Sequence, residues 1–414
     1  MKLTKGINEV EFKKWIFLKA LIVRVIVLLI IFFLTPNLSV GFLSDSYSSN
    51  DDVRFETGGM YYAENAKSII DFPTFKQAYG NVGDWIGYKT GSFFSTLALW
   101  YWIVCIILYL TKHVIFVRLF NIIIASLSCF VLYNFVNVAY DSRIAMRATR
   151  LLMYLPYPVV FSCFAYRDSL IMCLTLYLLF KSSLYQKNGK FQKVSEWIAF
   201  VISAIILLLL RSGISIIFIA LCFFIMFSNR ITKKRIKTRY LIIIPIVLIL
   251  GIFLVYKFGG QIIYKVNVYI IGNVSSRQEG TIGLLNINGI RDIYKIPFAY
   301  LFSVIMPIGL GKGFGSWAEI VGNLNIIMVF IAVGSLLFVF KKEKRNNTVY
   351  WSCMAYYLIS VIASLGIFRH YYSVLPFAYI AYSEFRQSAT KNEKLLMYLL
   401  GALYAIALII FYLR

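Results

Sequence analysis

Acidic residues are scarce in this sequence and histidine is nearly absent. Of 414 residues, 18 are aspartate or glutamate and 2 are histidine, against 42 lysines and arginines. With only His113 and His370, the sequence argues against a histidine-rich metal centre. The six cysteines (Cys105, Cys129, Cys163, Cys173, Cys222 and Cys353) fall in or beside apolar segments. They have neither zinc spacing nor the pattern of a disulfide framework. Charge of either sign is sparse, 14% of residues, where soluble domains carry about 25%. A water-soluble surface cannot be built from that supply. The alternating strands of a membrane β-barrel are missing as well. The glycine-rich stretch 309–315 lacks the Gly-Lys-Ser/Thr ending of a nucleotide-binding loop. It reads as a turn, and a cytoplasmic ATPase is not supported.

What the chain has in excess is apolar length. Hydrophobic residues make up 60% of it, and its mean hydropathy is +0.76. Runs such as 15–34, 240–256, 320–340 and 395–413 reach the roughly 17–25 residues that span hydrocarbon as a helix. In lipid every backbone amide needs an internal partner, so such runs must be helical. The expected fold class is all-α, a polytopic transmembrane helical bundle in which 1–414 form a single domain. About eleven spans are expected, within a range of roughly ten to thirteen. The first apolar run lacks a small-residue cleavage site and is expected to be a retained helix.

The net charge of +24 is placed for a membrane, not for nucleic acid. Basic residues gather in short gaps: Lys2, Lys5, Lys13 and Lys14; Lys181, Lys187, Lys190 and Lys193; 230–239; 341–345; and Arg386, Lys391 and Lys394. Short basic loops beside apolar helices mark the cytoplasmic side. This predicts a cytoplasmic N-terminus, an extracytoplasmic C-terminus, and outer loops at 36–91 and 257–321. Two segments strain that topology. Residues 296–311, with Pro297, Pro307 and Gly309, suit a re-entrant element. Arg143, Arg147 and Arg150 have a cytoplasmic look, yet counting spans over 92–111 and 114–138 places them outside. Either 141–163 is interfacial, or a preceding segment is not a full span.

The outer loop 36–91 holds seven acids, Asp45, Asp51, Asp52, Glu56, Glu64, Asp71 and Asp84, against four basic residues. Tyr62, Ala66, Ile69 and Ile70 fall at helical spacing, which predicts an interfacial juxtamembrane helix over 59–71. That helix would hold Asp51 and Asp52 near the membrane surface. Paired carboxylates there can bind a divalent cation such as Mg or Mn, with Glu56 as a further ligand, or act as a general base. A merely solvated polar loop is the alternative. Arg167-Asp168, Arg211 and Arg369 interrupt apolar stretches and map to the same outer side. Arginine forks match phosphate oxygens, so together they can hold a lipid-linked phosphate. Taken singly, each can equally snorkel at a helix end. Arg277 and Arg291 in the late outer loop can add phosphate contacts.

At these residues the chain resembles the GT-C superfamily of membrane glycosyltransferases. Asn50-Asp51-Asp52 followed by Tyr61–Ala66 resembles that family's acidic first outer loop and juxtamembrane helix. Arg118–Asn121, then Leu155-Pro156 through Arg167-Asp168, is similar to a run in its bacterial members that ends in Lys/Arg-Asp. The Pro297–Pro307 stretch before Trp317 resembles its Pro/Trp segment before a late helix. Arg369-His370-Tyr371-Tyr372 with Leu375-Pro376-Phe377 resembles its Arg-Tyr-Arg…Pro-Phe element.

The resemblance implies an enzyme of the bacterial plasma membrane. It would transfer a sugar from a polyprenyl-phosphate-linked donor to a glycan or lipid acceptor at the extracytoplasmic face. Asp51 or Asp52 would be the catalytic base and Asp168 a second acid, while Arg167, Arg211 and Arg369 would neutralise the donor phosphate. Two rivals stand beside this reading. A capsular or O-antigen polysaccharide polymerase would rely more on Arg277 and Arg291. A transporter of lipid-linked sugars would be expected to carry internal repeats, and no convincing repeat is seen.

Overall fold

The computed structural model describes residues 2–34, 51–69, 98–233, 294–305, 317–341, 346–363 and 371–413. Among them every regular element is a helix. The helices are α1 (Lys2–Leu34), α2 (Asp51–Asn65), α3 (Ala98–Thr111), α4 (Val114–Ala139), α5 (Ser142–Tyr154), α6 (Pro156–Phe161), α7 (Asp168–Asn188) and α8 (Val194–Leu210). The later ones are α9 (Ser212–Lys233), α10 (Ile296–Ile305), α11 (Trp317–Leu324), α12 (Met328–Val339), α13 (Asn347–Ala363), α14 (Leu375–Ser388) and α15 (Lys391–Leu413).

Four stretches are long and apolar enough to cross a membrane: Glu11–Phe33, Val114–Ala139, Val321–Val339 and Lys391–Ile410. Their outward faces carry Ile22, Phe33, Ile123, Leu399 and Leu403, all exposed. That is the surface expected of a helical membrane protein, because lipid tails impose no penalty on exposed leucine. The other helices are shorter or broken, and eleven spans are not established by them.

Side-chain pairings fix which helix ends lie together. Asn121, near the start of α4, donates through Nδ2 to the Tyr166 carbonyl at 2.8 Å, just before α7 begins. At the far ends, Asn346 Nδ2 donates to the Ala139 carbonyl at 3.5 Å and to Gln186 Oε1 at 3.2 Å. So α4 and α7 run parallel and pack together. The chain between them must travel back from the Lys181 end to the Asp168 end. Helices α5 and α6 make that return.

This resolves one of the two strained segments. Residues 141–163 form a returning segment broken at Leu155, and Pro156 explains the break. Proline carries no N–H, so the Leu152 carbonyl loses its helical donor. Arg24, buried in the middle of α1, supplies the replacement: its Nη2 donates to that carbonyl at 3.0 Å. Within apolar surroundings a freed carbonyl needs such a partner.

The expected span over 92–111 changes accordingly. Its described part, α3, lies alongside α2. Trp100, in its first turn, donates to the Ala165 carbonyl at 3.0 Å, and Lys112, just past its end, reaches the Ala63 carbonyl. Both ends of α3 therefore lie at the Asp168 end. The described helix has 14 residues, about 21 Å, and residues 92–97 of the expected span lie outside the described residues. Helix α10 is shorter still, with 10 residues. The remainder of the 296–311 element, from 306 on, lies outside the described residues.

Helices α8 and α9 continue the alternation between the two ends. Lys181 Nζ meets Glu196 Oε1 at 2.8 Å, and Arg167 Nη1 donates to the Leu210 carbonyl at 3.0 Å, so α8 returns toward Asp168. Gln186 Nε2 donates to Ser228 Oγ at 2.7 Å, which carries α9 back. The α7–α8 turn is closed by Gly189 at φ 76°. That left-handed conformation ends helices and favours glycine.

Candidate functional site

Helix α2 starts at Asp51, earlier than spacing alone predicted, so both acids of the pair stand in its first turn. Their side chains lie outside the described residues. Asp52 and Glu56 are four residues apart, on one face of the helix. Glu56 points inward and is 1% exposed. Its Oε1 accepts from Arg118 Nε at 2.9 Å and its Oε2 from Arg118 Nη2 at 3.0 Å. Both carboxylate oxygens are thus engaged by a fork from α4, which leaves Glu56 poorly placed as a cation ligand. Among the described residues no group of three or more histidine, cysteine or acidic side chains gathers as a metal site.

The same pair leads to the turn that carries Arg167 and Asp168. The Arg118 guanidinium lies over the Phe164 ring at 5.8 Å. One helical turn on, Asn121 donates to the carbonyls of Phe164 and Tyr166, and Trp100 takes the carbonyl between them. Three consecutive carbonyls of a non-helical stretch are therefore bonded by side chains from α3 and α4. Such a turn is affordable inside a bundle only when its polar backbone is satisfied.

An aromatic ledge backs the turn. Phe161 and Tyr166 stack at 4.8 Å with 6° between planes. Phe161 also meets Tyr372 at 4.6 Å, and Tyr372 meets Tyr157 edge-on at 6.0 Å. Tyr372 belongs to the late Arg-His-Tyr-Tyr element, so the described part of that element packs on the same turn.

Asp168 opens α7 and is 3% exposed. A carboxylate in the first turn of a helix is stabilised by the free N–H groups there. The preceding residue, Arg167, reaches across to the Leu210 carbonyl, next to Arg211. Arg211 occupies the break between α8 and α9 and is buried. The fold therefore brings Arg167, Asp168 and the Arg211 backbone to one end, and ties α2 to that end through Glu56. Arg277, Arg291 and Arg369 lie outside the described residues.

Sequence reasoning passed over Arg24, Trp100 and the Glu56–Arg118 pair. For Arg24 the signal was available: an arginine in the middle of a long apolar run is costly and needs an internal partner. For the pair, Glu56 and Arg118 are 62 positions apart, and no periodicity links them.

No family model matches the chain, and no curated protein matches it. A search of solved structures finds similarity to the archaeal oligosaccharyltransferase AglB from Archaeoglobus fulgidus, in complex with an inhibitory peptide and a dolichol-phosphate. The identity is 13% and the TM-score 0.49, covering 96% of this chain and 55% of that one. The chain thus spans about half the length of that structure, and at this TM-score the likeness decides neither fold nor function.

Proposed function

We propose that this chain is a membrane glycosyltransferase using a polyprenyl-phosphate-linked sugar donor at the extracytoplasmic face of a bacterial plasma membrane. The observation that carries the reading is the meeting of Arg167, Asp168 and the Arg211 backbone at one end of the bundle, where Glu56 also tethers the acid-bearing helix α2. Arg143, Arg147 and Arg150, with Lys181 and Lys341, belong to the opposite end, which the positive-inside rule makes cytoplasmic.

In this reading Asp52 or Asp51 accepts the proton of the acceptor hydroxyl, and Asp168 orients the acceptor. Arg167 and Arg211, with Arg369, hold the donor phosphate and stabilise the charge that grows on it as the glycosidic bond breaks. The donor tail stays in lipid, so no nucleotide site is needed. Removing one such charge-stabilising group costs about a hundredfold or more in turnover.

The test is transfer by the purified full chain in vesicles, scored as release of polyprenyl phosphate from synthetic polyprenyl-phosphate hexoses and pentoses. Asp52→Asn, Asp51→Asn, Asp168→Asn and Arg211→Met are compared with the parent chain. Loss of turnover in Arg211→Met, in Asp168→Asn and in at least one of the α2 variants supports the reading. Undiminished turnover in all four overturns it.

A further inference from the structure

A second polar cluster lies at the end opposite Asp168 and has no part in the proposed reaction. Helix α5 places Arg143, Arg147 and Arg150 on one face at helical spacing. Its other face buries Ile144, Ala145, Ala148, Leu152 and Met153. Arg143 and Arg150 are exposed and Arg147 half-buried. Arg147 Nη1 donates to the Ser383 carbonyl of α14 at 2.9 Å and stands within electrostatic reach of Arg386 and Arg150.

Two of the acids at this end are engaged by other groups. Asp141 caps α5 through the Ile144 N–H at 2.8 Å and accepts from Gln387 Nε2 at 2.9 Å. Glu393 pairs with Lys341 at 3.0 Å. Arg147 also stands within electrostatic reach of Asp141, and Glu384 is buried directly after Ser383, so the uncompensated positive charge lies at the exposed Arg143 and Arg150.

Apolar surface borders this cluster on two sides. Arg150 lies over Phe12 of α1 at 5.1 Å, and that helix exposes Trp15, Leu18 and Ile22. Arg386 lies over Tyr398 of α15 at 5.7 Å, and that helix exposes Leu395, Leu399 and Leu403. An occupant must therefore bring an anion with several oxygens and also an apolar tail.

We infer that the seam between α1 and α5 binds one anionic glycerophospholipid, its phosphate on Arg143 and Arg150 and its acyl chains along the apolar face of α1. Guanidinium forks match phosphate oxygens, and basic pockets between membrane helices select acidic headgroups.

The experiment is native mass spectrometry of the delipidated full chain titrated with phosphatidylglycerol or with phosphatidylcholine. The parent chain is compared with an Arg143→Gln/Arg150→Gln double variant. Both arginines are exposed, so the variant keeps its fold, and its thermal unfolding in detergent is recorded beside the titration. The parent is expected to retain phosphatidylglycerol over phosphatidylcholine. The variant loses roughly thirtyfold in that preference, a factor of about five for each arginine removed. Equal retention of the two lipids overturns the inference, as does an unchanged preference in the variant. A third arm adds inorganic phosphate at millimolar concentration. Failure of phosphate to displace the lipid is the expected result. Phosphate binding without lipid preference overturns the lipid assignment.

Discussion

Glu56 and Arg118 form a sealed bidentate ion pair between α2 and α4, with side chains 1% and 4% exposed. The pair fastens the helix that carries Asp51 and Asp52 to the helix that holds the Phe164 and Tyr166 carbonyls. Buried pairs of this kind are costly to break because the surviving partner keeps an uncompensated charge.

Either Glu56→Gln or Arg118→Met is therefore expected to destabilise the chain by about 3–5 kcal/mol. The Glu56→Leu/Arg118→Met double variant should recover most of that loss, since two apolar groups leave no buried charge. Thermal unfolding in detergent measures both. Additive losses would show that the pair is not the fastening.

Pro156 and Arg24 should be coupled. Arg24→Met leaves the Leu152 carbonyl without a donor, at a cost of about 1–3 kcal/mol. Pro156→Ala restores a backbone N–H able to bond that carbonyl, so the same change should cost less in that background. A double-mutant cycle on unfolding free energy reads the coupling, expected at roughly 1 kcal/mol. Zero coupling would mean that the carbonyl finds another partner.

Asn121 acts through the turn it holds. Asn121→Ala removes the hydrogen bonds to Phe164 and Tyr166, freeing the backbone that sets Arg167 and Asp168. Small misplacements of binding groups can cost about a hundredfold in rate. Turnover in the transfer assay should fall by about that factor while the melting temperature falls only modestly, and Asn121→Asp should not restore it, because a carboxylate cannot donate to carbonyls.

Gly58 and Gly59 let α2 approach α3 closely. A Cβ at Gly58 would meet Tyr101 Oη at 2.8 Å, and one at Gly59 would meet Leu108 Cδ1 at 2.6 Å. Leucine can swing its terminal methyl aside, whereas the ring of Tyr101 is rigid and fully buried. Gly58→Ala should thus cost more than Gly59→Ala, within the roughly 1–3 kcal/mol typical of overpacking. Paired melts of the two variants decide the order.

Much of the framework was legible in the chain. Apolar runs specified helices because lipid offers the backbone no alternative partner. Basic gaps gathered at one end of the described bundle, and Arg167 with Asp168 went to the other. Spacing also pointed to a helix around Tyr62, but that helix ends at Asn65, so Ala66 and Ile69, on which the expected 59–71 helix rested, lie past it. Spacing missed that the helix already begins at Asp51, since the apolar spacing starts only near Tyr62 and the close packing of Gly58 and Gly59 on α3 is tertiary.

By itself, then, the sequence determined the helical class and the segregation of charge between the two ends. Both follow from the local cost of placing peptide groups or charges in hydrocarbon. The tertiary structure alone decided that Glu56 pairs with Arg118, that Arg24 completes the carbonyl freed by Pro156, and that α3 stays beside α2. Each of these joins residues far apart in the chain, and buried polar groups choose such partners by three-dimensional reach, which no local pattern encodes.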